Sequence, residues 1–93
     1  MRFEWDDQKN RTNRRKHRVS FETAREVFND PLHLSVPDRV VAGEQRWQTI
    51  GMAGGIVLLV VAHTYREDDA GEVVRIISAR KATRKERRDH EDA

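Results

Sequence analysis

Ile56-Val57-Leu58-Leu59-Val60-Val61-Ala62-His63-Thr64-Tyr65-Arg66-Glu67 runs into Asp68-Asp69-Ala70-Gly71, and Glu72-Val73-Val74-Arg75-Ile76-Ile77-Ser78-Ala79-Arg80-Lys81-Ala82-Thr83 follows. Two apolar runs joined by the acid and glycine types that turns favour predict a β-hairpin in the middle of a sheet. The hairpin also carries Arg66, Glu67, Arg75, Arg80 and Lys81, more charge than a buried strand pair needs. Alternation sets a condition on these charges. Arg75 and Arg80 are five residues apart, so on a regular strand they point to opposite faces. They share a site only if a bulge intervenes or the chain leaves the sheet near Ser78.

Upstream of the hairpin, Arg46–Met52 alternates as a strand, and Ala53-Gly54-Gly55 forms a turn. Leu32, Leu34 and Val36 fall on one side of a predicted half-buried strand; Pro37-Asp38 begins a turn, and a loop runs to Gln45. Earlier still, Ser20 caps a helix whose Phe21, Ala24, Val27 and Phe28 make one apolar face, and Asn29-Asp30-Pro31 stops it. Asp6 caps a first helix over residues 7–17 that lacks any clearly hydrophobic side chain. Asn10, Asn13, Lys16 and His17 lie near one face of that helix, so either this face packs through polar contacts or the helix is simply solvated. Phe3 and Trp5 suit either a short edge strand or an aromatic anchor on the core. Thr83-Arg84-Lys85-Glu86 is a capping box that starts a short, highly charged last helix.

These elements predict one α+β domain spanning residues 1–93. Its core is a compact antiparallel four-stranded sheet, with two N-terminal helices and a C-terminal helix packed on it. Charged and hydrophobic residues each make up 37% of the chain, so a polar shell surrounds a small core. Without cysteine there is no disulfide, zinc thiolate or thiol nucleophile, which fits a reducing cytoplasm. No apolar run approaches the ~18 residues of a membrane span, and the amino terminus lacks the apolar segment of a secretory signal.

His17, His33, His63 and His90 are scattered, with no ligand spacing that predicts a metal, and no glycine-rich loop precedes a helix to cradle a nucleotide. What remains is clustered positive charge: Arg66, Arg75, Arg80 and Lys81 on the hairpin, and Arg14, Arg15, Lys16 and Arg18 at the end of the first helix. Arginine forks bind phosphate and stabilise charge developing on it, and they cannot serve easily as bases. Proton transfer then falls to Glu67, His63, Tyr65 or His17. Against this stands a plain structural reading, in which Arg66 and Arg75 form surface ion pairs, His63 is a bonded core residue, and Trp47 and Tyr65 simply pack.

Several blocks together resemble the BrnT family of bacterial type II toxins. They are Phe3-Glu4-Trp5-Asp6, Arg15-Lys16-His17, Val19-Ser20-Phe21-Glu22, Val27-Phe28-x-Asp30-Pro31, His63-Thr64-Tyr65-Arg66 and Ile76-Ile77-Ser78-Ala79-Arg80-Lys81-Ala82-Thr83. The resemblance runs from Phe3 to Arg88 and implies a RelE-like fold. It further implies a cytoplasmic, metal-independent endoribonuclease that needs no cofactor and inhibits translation through attack by the ribose 2′-hydroxyl. A DNA-binding BrnA-type antitoxin would neutralise it in a 2:2 complex that reaches operator DNA only through the antitoxin. Carried over by position, Arg66, Glu67, Arg75 and Arg80 become catalytic, with Lys16, His17, Lys81 and Tyr65 on the RNA. The competing expectations are a basic module that binds RNA or antitoxin without cutting, and an inactive toxin homologue. The family commonly has glycine after the Lys-His pair. Arg18 stands there instead, so either it takes the left-handed conformation at about 1 kcal/mol or the helix ends differently.

Overall fold

The computed structural model describes residues 1–92. A five-stranded sheet has the order β1-β5-β4-β3-β2, from β1 (Arg2–Glu4), β2 (Leu34–Val41), β3 (Glu44–Ala53), β4 (Val57–Asp68) and β5 (Gly71–Lys81). The central hairpin is β4–β5, turning at Asp69-Ala70. The expected four-stranded antiparallel sheet is corrected by one strand. Phe3 and its neighbours form β1, which pairs parallel with β5 in the register Arg2↔Val73, Phe3↔Val74 and Glu4↔Arg75. Almost the whole chain connects β1 to β5, so no turn announces the pairing, and three residues are too few for alternation to signal a strand.

Helix α1 (Asp7–His17) starts where Asp6 Oδ1 accepts from the Lys9 N–H at 3.0 Å. It ends at Arg18, whose φ of 61° is left-handed and whose N–H donates to Arg14 O at 2.9 Å. Arg18 thus takes the conformation that glycine usually supplies. The helix continues the line of β1 along the free edge of β5. There the Asn13 side chain stands in for a strand, donating to Ala79 O at 2.8 Å and accepting from Ala79 N–H at 3.2 Å. Its amide also donates to Val19 O at 2.9 Å. Asn10 accepts from Phe21 N–H at 2.9 Å and donates to Glu22 at 2.8 Å. These buried amides do what an apolar stripe does elsewhere, because a backbone edge needs hydrogen bonds as well as cover. Lys16, expected on the same face, is exposed, and His17 is half-buried.

Helix α2 (Phe21–Ala24) begins with Ser20 Oγ accepting from Thr23 N–H at 3.0 Å, then tightens into a 3-10 turn over Arg25–Asn29. Phe21, Val27, Leu59, Val61, Val74 and Ile76 are fully buried between these helical segments and one face of the sheet. Gly51 lets the layers meet, since a Cβ there would come within 2.8 Å of Val27 Cγ1.

Two expectations about β2 are overturned. The strand runs straight through Pro37-Asp38 to Val41, and the turn lies at Ala42-Gly43. Leu32, Leu34 and Val36 are 74%, 47% and 55% exposed, not half-buried. An edge strand tolerates a proline because its outward N–H has no partner to lose. Leu34 and Val36 lie opposite Ile50 and Gln48 on the sheet face away from α1 and α2. Only α3 (Arg84–Glu91) approaches that face, leaving a cavity of about 240 Å³ between Leu34, Val36, Ile50, Val60 and His90.

Candidate active site

The register of β4 against β5 decides which charges meet. Ala62 pairs with Ser78, but the next residue, His63, pairs with Ile76, so Ile77 is an extra, bulged residue. Arg75 lies opposite Thr64 and Arg80 opposite Val60, two positions four apart on β4 and therefore on one face. The bulge brings Arg75 and Arg80 to the same side. Arg66, two residues from Thr64, joins them on the face not covered by α1 and α2. This is the condition that alternation set.

The three arginines fall into two groups along this open face. In the first, Glu4 of β1 accepts from both arms of Arg66, with Nη2 to Oε2 at 3.2 Å, and pairs with Arg75 at 3.6 Å. The Arg66 hydrogen bond holds the Glu4 carboxyl below its ordinary pKa and raises that of Arg66. Arg2 pairs with Asp68 beside them. In the second group, Arg80 binds Glu86 through two parallel hydrogen bonds of 2.7 and 2.9 Å. Glu86 accepts as well from the Thr83 N–H at 2.9 Å, closing the capping box of α3. The Arg80 bond, before any other cause, lowers the Glu86 pKa to about 2. Five residues less the bulge separate Arg75 from Arg80, so the groups lie roughly 13 Å apart at the usual rise of a strand, with exposed Ser78 between them.

The remaining predicted residues divide. Glu67 lies opposite Glu72 and, by alternation, on the other side of the sheet from the arginines. Tyr65 belongs to the helix-covered face, its ring 5.6 Å from Trp47 and 4.8 Å from His63, so it packs away from the open face. Lys81, opposite the buried Leu59, is exposed at the end of β5 but lies by alternation on the helix-covered side, away from Arg80. Asn13 of α1 bonds Ala79, so the last turn of the helix, with Lys16 and His17, follows at the level of the β5 end, on the helix-covered side. His63 is fully buried, its Nε2 2.6 Å from Thr49 Oγ1, which in turn lies 2.6 Å from Ser35 Oγ. Burial lowers the His63 pKa to about 4 and keeps it neutral and away from solvent.

Glu4 and Glu86 are the residues that sequence reasoning missed here. Phe3 and Trp5 read as one side of an extended segment put Glu4 on the other side, which was the available signal. Glu86 was read as a cap, and its second bond, to Arg80, depends on how α3 turns back over the sheet. Among the described residues, no three His, Cys, Asp or Glu side chains converge to hold a metal ion. Among the described residues, no helix is long and apolar enough to cross a membrane.

The crystal structure of the Brucella abortus ribonuclease toxin BrnT matches this fold with a TM-score of 0.61 at 23% identity, covering 90% of this chain and 99% of that one. No curated protein sequence matches the chain. The family model for the ribonuclease toxin BrnT of type II toxin–antitoxin systems matches residues 5–86, which span α1, α2, β2 to β5, Arg66, Arg75, Arg80 and Glu86 but leave out β1 with Glu4. A match over that share of the chain means that the chain belongs to the BrnT family of type II ribonuclease toxins.

Proposed function

We propose that this chain is an endoribonuclease that cuts RNA across the open arginine face without a metal or cofactor and so blocks translation in the cytoplasm. The ribose 2′-oxygen forms a bond to the adjacent phosphorus as its proton leaves to a base. The bond to the 5′-oxygen breaks, that oxygen takes up a proton, and a 2′,3′-cyclic phosphate remains. The observation carrying this reading is the bulge at Ile77, which phases Arg66, Arg75 and Arg80 onto one face. Arginines fixed there neutralise charge that grows on the phosphoryl oxygens in the transition state.

Arg66 and Arg75 form one phosphate-binding group on the open face and Arg80 the other, while Lys81, Lys16 and His17 meet RNA that passes around the end of β5. Glu4, between two arginines on the open face, is better placed for proton transfer than Glu67, which faces away. Tyr65 serves packing. A type II toxin has an antitoxin partner; we take it to be of BrnA type, in a 2:2 complex that touches operator DNA only through the antitoxin.

Purified protein incubated with RNA in excess chelator tests this. Cleavage with cyclic phosphate ends is expected, and Arg66→Ala or Arg80→Ala should lower kcat about 100-fold or more. Folded alanine variants that cut as fast as the parent would overturn the assignment. The open-face arginines already have carboxylate partners, Glu4 and Glu86, and this favours one second reading: a module that only binds. Gel retardation without cutting would select it.

A further inference from the structure

We propose a second RNA-backbone site, apart from the open face, in the groove between α1 and the start of α2. Arg11, Arg14, Arg15 and Arg18 recur at the spacing that normally marks a buried apolar stripe. Here they line a groove of about 1010 Å³, faced by Ser20 and Thr23. Ion pairs among the described residues engage Arg2, Arg66, Arg75, Arg80 and Lys85, and none of these four. Glu22 on the groove wall is held by Asn10.

Helix polarity explains cations in the last turn of α1, which contains Arg14 and Arg15. It does not explain Arg11, one turn earlier. Nor does it explain arginine at position 18, where φ is 61° and glycine would fit without strain. Each fork suits a phosphate, and four of them over roughly 10 Å of helix make a polyanion track. No aromatic side chain lines the groove to stack a base, so the site reads backbone and not sequence. Since α1 borders the sheet at the edge of β5, RNA that leaves the open face past Arg80 and rounds that edge meets this helix. The proposal rests on RNA being the substrate.

The test uses a 20-nucleotide RNA methylated at every 2′-oxygen, which binds without being cut. The variant Arg11→Gln/Arg14→Gln/Arg15→Gln/Arg18→Gln keeps helix-forming side chains, and its fold is checked by circular dichroism. Its affinity should fall at least tenfold, and the slope of log K against log salt should become shallower by up to ~2.8. Cleavage of a dinucleotide, too short to reach the groove, should be unchanged. Unaltered affinity and slope, or a loss seen with duplex DNA alone, would overturn the proposal. Arg18→Gly separates strain from binding: it should raise the melting temperature while weakening RNA binding, and undiminished binding removes Arg18 from the site. A protein that binds through the groove yet cuts no RNA would support this site and sink the ribonuclease reading instead.

Discussion

The two faces of the sheet treat polar groups in opposite ways. On the helix-covered side the buried ones are neutral: Asn10 and Asn13 bond to backbone, and His63, Thr49 and Ser35 form a chain of uncharged partners. On the open side charge meets charge, with Glu4 between Arg66 and Arg75 and Glu86 on Arg80. Neutral groups can be buried once bonded, whereas ions keep their low cost only near water. The difference teaches that stability resides mainly on one side and that the other is free to exchange partners.

Removing a neutral anchor should do the most damage. Asn13→Ala leaves both backbone groups of Ala79 and the carbonyl of Val19 without their partner, at a cost of about 3–4 kcal/mol. Urea unfolding would measure it, and a loss below 1 kcal/mol would mean water replaces the amide and the contrast between faces is weaker than drawn.

The next effect is a pH dependence of about 3 kcal/mol. His63 has a folded pKa near 4, below the value of about 6.5 that it has when unfolded. The unfolded chain therefore binds this proton first, so stability falls as pH drops from about 6.5 to 4 and this contribution levels off below that. Denaturant midpoints across this range should show the slope in the parent and lose it in His63→Gln.

The open face should respond least. Glu86→Gln breaks a half-exposed ion pair and weakens a helix cap, together about 1–2 kcal/mol at neutral pH. The folded pKa of Glu86 is depressed to about 2, so its contribution is complete above an unfolded value of about 4.5 and fades as pH falls toward 2. Parent and variant should thus converge in strong acid. A deficit that persists there would assign the loss to packing and not to charge.

Features set by near neighbours were legible in the sequence. The caps at Asp6, Ser20 and Thr83 each depend on a residue three positions away, and the hairpin on its own turn. Features set by distant pairing were not. The bulge at Ile77 exists only relative to β4, and β1 only relative to β5. The exposure of Leu34 and Val36 follows from how little of the open face α3 covers, which alternation within β2 cannot reveal. The candidate site shows the same division. Its arginines could be named from the chain, but their shared face and carboxylate partners emerged from register, and Glu67, Tyr65 and Lys81 were lost to the opposite side by it.

The blocked ends of the sheet bear on how the molecule behaves when crowded. An uncapped strand is a template on which further chains can add and grow into fibres. At one end, β1 and the amide of Asn13 occupy the rim of β5. At the other, Pro37 withholds a donor, and the register slips between Pro37 and Val40, so a straight incoming strand finds no continuous ladder. The chain can therefore carry an apolar strip at Leu34 and Val36 on its rim without polymerising through it.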